Sequence, residues 1–148
     1  MMITRSFETP CTLTLSADRR KAQERARYIV DHILTCTGLW PLPERTPLRA
    51  TFTNRVEVDG EYSVENVFFH SIPGLLVCGN LYRPLLGRAK RPAVLCPHGH
   101  WPAGRLESSQ MASVPGRCIG LARRGFVAFS YDMPGYNDSD QLQHRNLG

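Results

Sequence analysis

Between Ser16 and Gly38 the apolar positions Ala22, Ala26, Ile29, Val30, Ile33 and Leu34 recur three and four residues apart. That spacing puts them on one face of a helix. Ser16 is the expected N-cap and Gly38 the expected stop. The stretch LWPLPERTPL carries three prolines and predicts an extended crossing loop. From Arg49 the period shortens to two. TFTNRVEV reads as a strand, Asp59-Gly60 as a hairpin turn, and EYSVENVFFH and LLVCGNLYRP as two further strands joined through SIPG. After a basic link from Arg88 to Arg91, PAVLCP is apolar throughout, as a strand buried on both faces should be. A loop follows from Trp101 to Ser109. A helix is predicted over Pro115–Arg124, with Ser113 near its N-cap and Gly125 as its stop. FVAFSYD is a second continuous apolar strand, and MPGYNDSDQLQHRNLG adds no further element.

The order is helix, antiparallel meander, then strand–helix–strand. Such an order defines an α/β chain in which the last unit is a parallel crossover. Residues 1–48 form an N-terminal helix and proline-rich loop, and residues 49–148 form the sheet-bearing part. In open α/β sheets, ligands lie outside the carboxyl ends of the parallel strands. Two loops sit there: His98-Gly99-His100, and Asp132 to Ser139.

Composition narrows the class. Of the 148 residues, 42% are hydrophobic and 21% charged, the balance of a globular domain. No window is apolar enough for a membrane helix. The patch Cys11–Leu15 lacks the apolar core and cleavage site of a signal peptide. Net charge is +5, with one cluster at Arg19, Arg20, Lys21, Arg25 and Arg27. It falls on the polar side of the predicted helix, so it reads as a solvated face, with no nucleic acid and no membrane as partner. The five cysteines, Cys11, Cys36, Cys78, Cys96 and Cys118, are odd in number and contain no CxxC. They read as reduced thiols, which leans toward a cytoplasmic setting without fixing the compartment.

His98-Gly99-His100 admits three readings. Side chains two apart on a strand share a face, so both imidazoles could reach one metal ion. The barrel hydrolases that use such a pair need about 250 residues, and the preceding meander has no place in them. A strand ending in His-Gly-x can instead offer a backbone N–H to a developing oxyanion. A structural turn is the third reading. Ser139, in YNDSD, has no glycine two residues away on either side, so it cannot form a nucleophile elbow. Asp and Ser in such loops more often hold turns. Cys96 next to Pro97 reads as structural, and Trp101 as a pocket wall or a cover for the loop.

GNLYRP, PAVLCPHGHW and GFVAFSYDMPGYNDSD together resemble the N-terminal half of an α/β-hydrolase. The likeness is to the acetyl xylan esterase-like and dienelactone-hydrolase-like carboxylesterases, over about Arg55 to His144. The resemblance implies that His98-Gly99 is the oxyanion-loop motif and that His100 presents its N–H to the substrate. It implies that Trp101 belongs to the same loop. Asp132, Gly135 and Ser139 would shape the site floor without being the triad. Gly99 would let the backbone approach the substrate and take unusual dihedrals.

The family's G-x-S-x-G elbow and the acid and histidine that follow it are not found in these residues. The chain is therefore expected to be an incomplete α/β-hydrolase sheet, from a truncated enzyme or one piece of a split one. It would carry the oxyanion loop and be inactive alone. No cofactor and no metal are expected. Its partners would be a small-molecule or carbohydrate ester once completed, its own C-terminal half, or a second copy. The alternative is a non-catalytic binding or assembly module that pairs through an exposed sheet edge.

Overall fold

The computed structural model describes residues 17–87 and 90–144. Cys11, the patch Cys11–Leu15 and the expected cap Ser16 lie outside them. The chain divides into two compact units, Met1–Pro43 and Glu44–Gly148.

The first unit is built on helix α1 (Arg19–Cys36). Its N-cap is Asp18 rather than Ser16. The Asp18 carboxylate accepts from the N–H groups of Arg20 at 2.8 Å and Lys21 at 3.3 Å, satisfying donors that the first turn leaves free. At the other end Leu39 N–H donates to Leu34 O and Gly38 N–H to Thr35 O. This pair of bonds is a Schellman stop. None of the α1 residues is buried. No helix among the described residues is long and apolar enough to cross a membrane.

The second unit holds a five-stranded mixed sheet in the order β1-β2-β3-β5-β4. The strands are β1 (Thr51–Val58), β2 (Tyr62–Ile72), β3 (Leu75–Pro84), β4 (Ala93–Leu95) and β5 (Val127–Tyr131). β1, β2 and β3 form the expected meander. The first turn is closed by Glu61 N–H donating to Val58 O at 2.9 Å, with Asp59 and Gly60 both at positive φ. Asp and Gly tolerate that backbone better than other residues. A bulge interrupts β1 between Thr53 and Val56, where Asn54 takes φ +54°.

β5 runs antiparallel to β3 and parallel to β4. Helix α2 (Val114–Arg123) joins β4 to β5. Ser113 caps α2 by accepting from Gly116 N–H at 3.0 Å. A second Schellman pair, Gly125 N–H to Ala122 O and Phe126 N–H to Leu121 O, ends it. One row of cross-strand neighbours, Val56, Val64, Tyr82, Ala128 and Val94, traverses the whole sheet. α2 lays the buried side chains of Val114, Cys118 and Ala122 into the core that Tyr62, Tyr82, Cys96 and Ala128 complete.

One expectation about the strands needs correction, and the exposure of β1 stands beside it. β1 alternates in sequence, yet seven of its eight residues are exposed, including Phe52 and Val56. It is an edge strand, and the Arg83 guanidinium lies over the Phe52 ring, 5.1 Å from its centre. PAVLCP reads as buried on both faces, but β4 has three residues and Leu95 is 69% exposed. β4 is the other edge of the sheet, so only β5 pairs with it among the described residues. The segment 101–109, expected as a loop, contains a 3-10 turn at Gly104–Leu106.

Cys36, Cys78, Cys96 and Cys118 are free thiols. Burial pushes the Cys118 thiol up from 9.0 to about 12, with Cys96 beside it adding to the shift. Burial likewise pushes the Tyr82 hydroxyl from 10.0 to about 12. Both groups are neutral when protonated. The folded chain keeps these protons up to about pH 12, whereas the unfolded chain releases them from about pH 9 and pH 10. Their contribution is therefore full below pH 9 and is lost as pH rises toward 12. Each linked proton steepens the loss by up to about 1.4 kcal/mol per pH unit. Thermal melts across this alkaline window should show a falling Tm, with a shallower fall in Cys118→Ala. Equal slopes in the two proteins would refute the assignment to Cys118.

Candidate functional site

The site is built from two loops beyond the carboxyl ends of β4 and β5. The first begins where Cys96 N–H donates to Phe129 O at 2.8 Å, carrying the β4–β5 pairing one step past the strand. His98 follows and is 4% exposed. Its Nδ1 lies 2.7 Å from Gly99 O, and its Nε2 accepts from Met133 N–H at 3.2 Å. The network thus assigns the proton to Nδ1. Both ring nitrogens are engaged, and the ring buckles the first loop to the second. Tyr136 packs edge-on against it at 4.7 Å.

Gly99 does not take the unusual dihedrals expected of it, and a further reason for glycine is present. It is not among the residues at positive φ. A Cβ there would lie 2.9–3.0 Å from the six-membered ring of Trp101. The indole lies flat over the place a side chain would need, and it also lines the neighbouring cleft. His100 is exposed, and its backbone N–H meets no acceptor among the described residues. Its Nε2 lies 3.1 Å from Nε2 of His144.

The second loop starts at Asp132, which is 1% exposed. Its N–H donates to Cys78 O at 2.9 Å, and one carboxylate oxygen accepts from Asn137 Nδ2 at 2.7 Å. The other oxygen pairs with Nη1 of Arg105. Arg105 is itself buried. Its Nε donates to Asn80 Oδ1 at 2.6 Å and its Nη2 to Asp138. Asn80 in turn donates to Asn66 at 2.8 Å. One guanidinium thus ties β3, the 3-10 turn and the second loop together. Desolvating these charges is tolerable only because each finds a partner.

Ser139 and Gln141 complete the loop in place of a strand. Ser139 Oγ accepts from Cys78 N–H at 3.1 Å, and Gln141 Oε1 accepts from Leu76 N–H at 2.6 Å. Gly135 N–H donates to Ser139 O at 2.7 Å. Gly135 takes φ +83°, and a Cβ on it would collide with the backbone of His144. Asp132, Gly135 and Ser139 therefore belong to one turn, and the hydroxyl of Ser139 is held by a backbone amide. The two loops enclose a cleft of about 530 Å³, whose walls include His100, Trp101, Gly135, Tyr136, Asp140 and His144.

Sequence reasoning overlooked Arg105, Asn80 and Tyr136, and it read His144 as scattered, with no ligand spacing. One signal was present: the second loop holds Asp132, Asp138 and Asp140. Buried carboxylates demand a cation, and a Gly-Arg pair stands in the facing loop.

No protein-family model and no curated protein matches the chain. Solved structures do. Methylesterase BT1017 shares 30% identity over 84% of this chain, with a TM-score of 0.63. A protein from Bacteroides fragilis assigned as an acetyl xylan esterase shares 18% over 87%, with a TM-score of 0.55. The chain spans 27% of the length of the first and 34% of the second. It has an acetyl xylan esterase-like hydrolase fold as a partial chain, an incomplete α/β sheet, and its structural neighbours are esterases.

Proposed function

We propose that this chain supplies the oxyanion side of a serine carboxylic-ester hydrolase of the acetyl esterase type. The observation that carries the reading is that the N–H of His100, a residue on the wall of the cleft, meets no acceptor among the described residues. The cleft lies where α/β sheets place their ligands. An ester carbonyl attacked by a nucleophile gathers negative charge on oxygen. A preorganised N–H at that point typically contributes about 3 kcal/mol to the transition state. The Arg105 hub and the His98 buckle support the reading, because they hold the loop without reorganisation. The aromatic faces of Trp101 and Tyr136 suit the ester of a small molecule or a carbohydrate.

The reading assigns no nucleophile, general base or acid within these residues. The 148 residues alone should therefore leave p-nitrophenyl acetate at its solvent rate. The test of the oxyanion role is a chimera in which residues 49–144 replace the matching segment of the methylesterase. His100→Pro removes the N–H and should lower kcat of the chimera about 10²–10³-fold, whereas His100→Ala keeps the N–H and should change it little. A folded chimera with equal kcat in both variants excludes the role.

A second reading, a non-catalytic module that pairs through a sheet edge, rests on the unpaired side of β4 and the exposed Leu95. Sedimentation of the free chain separates the two. A monomer with strong amide protection at Leu95, whose N–H faces away from β5, argues against the edge.

A further inference from the structure

We propose that the imidazoles of His100 and His144 form a site for a divalent transition-metal ion of the Cu2+ and Zn2+ class. The spacing His98-Gly99-His100 suggests one pair of ligands, and the fold makes another. His98 spends both nitrogens inside the loops. His100 turns to His144, with the two Nε2 atoms 3.1 Å apart and the rings at 87°.

That separation is a chelating bite. With metal–imidazole bonds of about 2.0–2.1 Å, two such nitrogens subtend roughly 95–100° at a shared ion. The angle lies between the right angle of tetragonal Cu2+ and the tetrahedral angle of Zn2+. Without the ion, one imidazole donates its Nε2–H to the other. Uptake moves that proton to Nδ1, so both Nε2 lone pairs face the metal.

The pair is preorganised. The Tyr136 ring packs 4.6 Å from the His144 ring and 6.2 Å from that of His100. The His144 backbone lies against Gly135, which has no Cβ to push it away. Among the described residues no set of three or more His, Cys, Asp or Glu gathers as ligands. The remaining coordination positions therefore fall to water in the cleft, and the carboxylate of Asp140 on its wall favours a cation there. Two nitrogens and no oxygen cage discriminate against Mg2+ and Ca2+. The site uses the His100 side chain, not its N–H, so it stands apart from the oxyanion reading.

The test titrates the whole chain with Cu2+, read by electron paramagnetic resonance, and with Zn2+, read by calorimetry. His100→Gln and His144→Gln keep a hydrogen-bonding amide but lose the imidazole. Exposed His32 on α1 serves as control in His32→Gln. One equivalent should bind the parent, Cu2+ more tightly than Zn2+. Each cleft variant should bind about tenfold or more weakly, and the control should match the parent. Parent-like affinity in either cleft variant, or no Cu2+ uptake by the parent, overturns the site.

Discussion

Replacing Arg105 with Met should destabilise the chain by about 3–5 kcal/mol, a large part of what a domain of this size has. The guanidinium is the counter-charge for Asp132, which is 1% exposed, and it also holds Asp138 and Asn80. Methionine fills similar volume and removes the charge. Asp132 is then left buried without its counter-charge, and among the described residues the Asn137 amide is the remaining donor to its carboxylate. Taking the second charge away should recover part of the loss, so Arg105→Met with Asp132→Asn should be more stable than Arg105→Met alone. Urea unfolding of the three proteins measures both effects. A single variant within about 1 kcal/mol of the parent would mean that the hub is a surface ion pair in energetic terms.

Gly79→Ala should cost about 1–3 kcal/mol, the usual range for forcing a group into filled space. Gly79 stands in β3 opposite Tyr131 of β5. A Cβ there would lie 2.6 Å from Cε2 of Phe129 and closer still to the carbonyl oxygen of Ser130. The ring could turn aside, but the carbonyl belongs to the ladder and cannot. Relief must come from parting β3 and β5, the seam on which the second loop is hung. Thermal unfolding followed by circular dichroism should show a Tm lower by several degrees, at about 4–8 °C per kcal/mol. An Ala variant that melts with the parent would show that the seam yields without cost.

Much of the fold was legible because its signals are local. Asp59-Gly60 marks its own turn. Ser113 and Gly125 stand where a helix start and stop must be, and the alternation in β2 and β3 spans enough residues to be seen. The strand–helix–strand order by itself places the two site loops at one end of the sheet. Exposure was harder. PAVLCP reads as buried on both faces because its apolar residues are counted without knowing which neighbour is present. β4 and β1 are the two edges of the sheet, and Phe52, Val56 and Leu95 are exposed. The hub was not legible because its contacts are remote. Arg105 reaches Asn80 and Asp138 across 25 and 33 residues, and no spacing rule links them. The histidines show the same limit. A period of two pairs His98 with His100 only while the chain is a strand, and β4 ends at Leu95. Past that point the chain turns, and each ring finds its own partner.

The indole of Trp101 gives the cleft an optical voice. The chain has two tryptophans, and the other, Trp40, lies in the first unit. With Trp40 replaced by Phe, all indole emission comes from a ring that lies on Gly99 and lines the cleft beside His100. An indole half in water emits at longer wavelength than one sealed in protein, and nearby imidazolium or Cu2+ quenches it. The colour and brightness of one residue then follow, without a label, how the lip of the cleft stands and what has entered it.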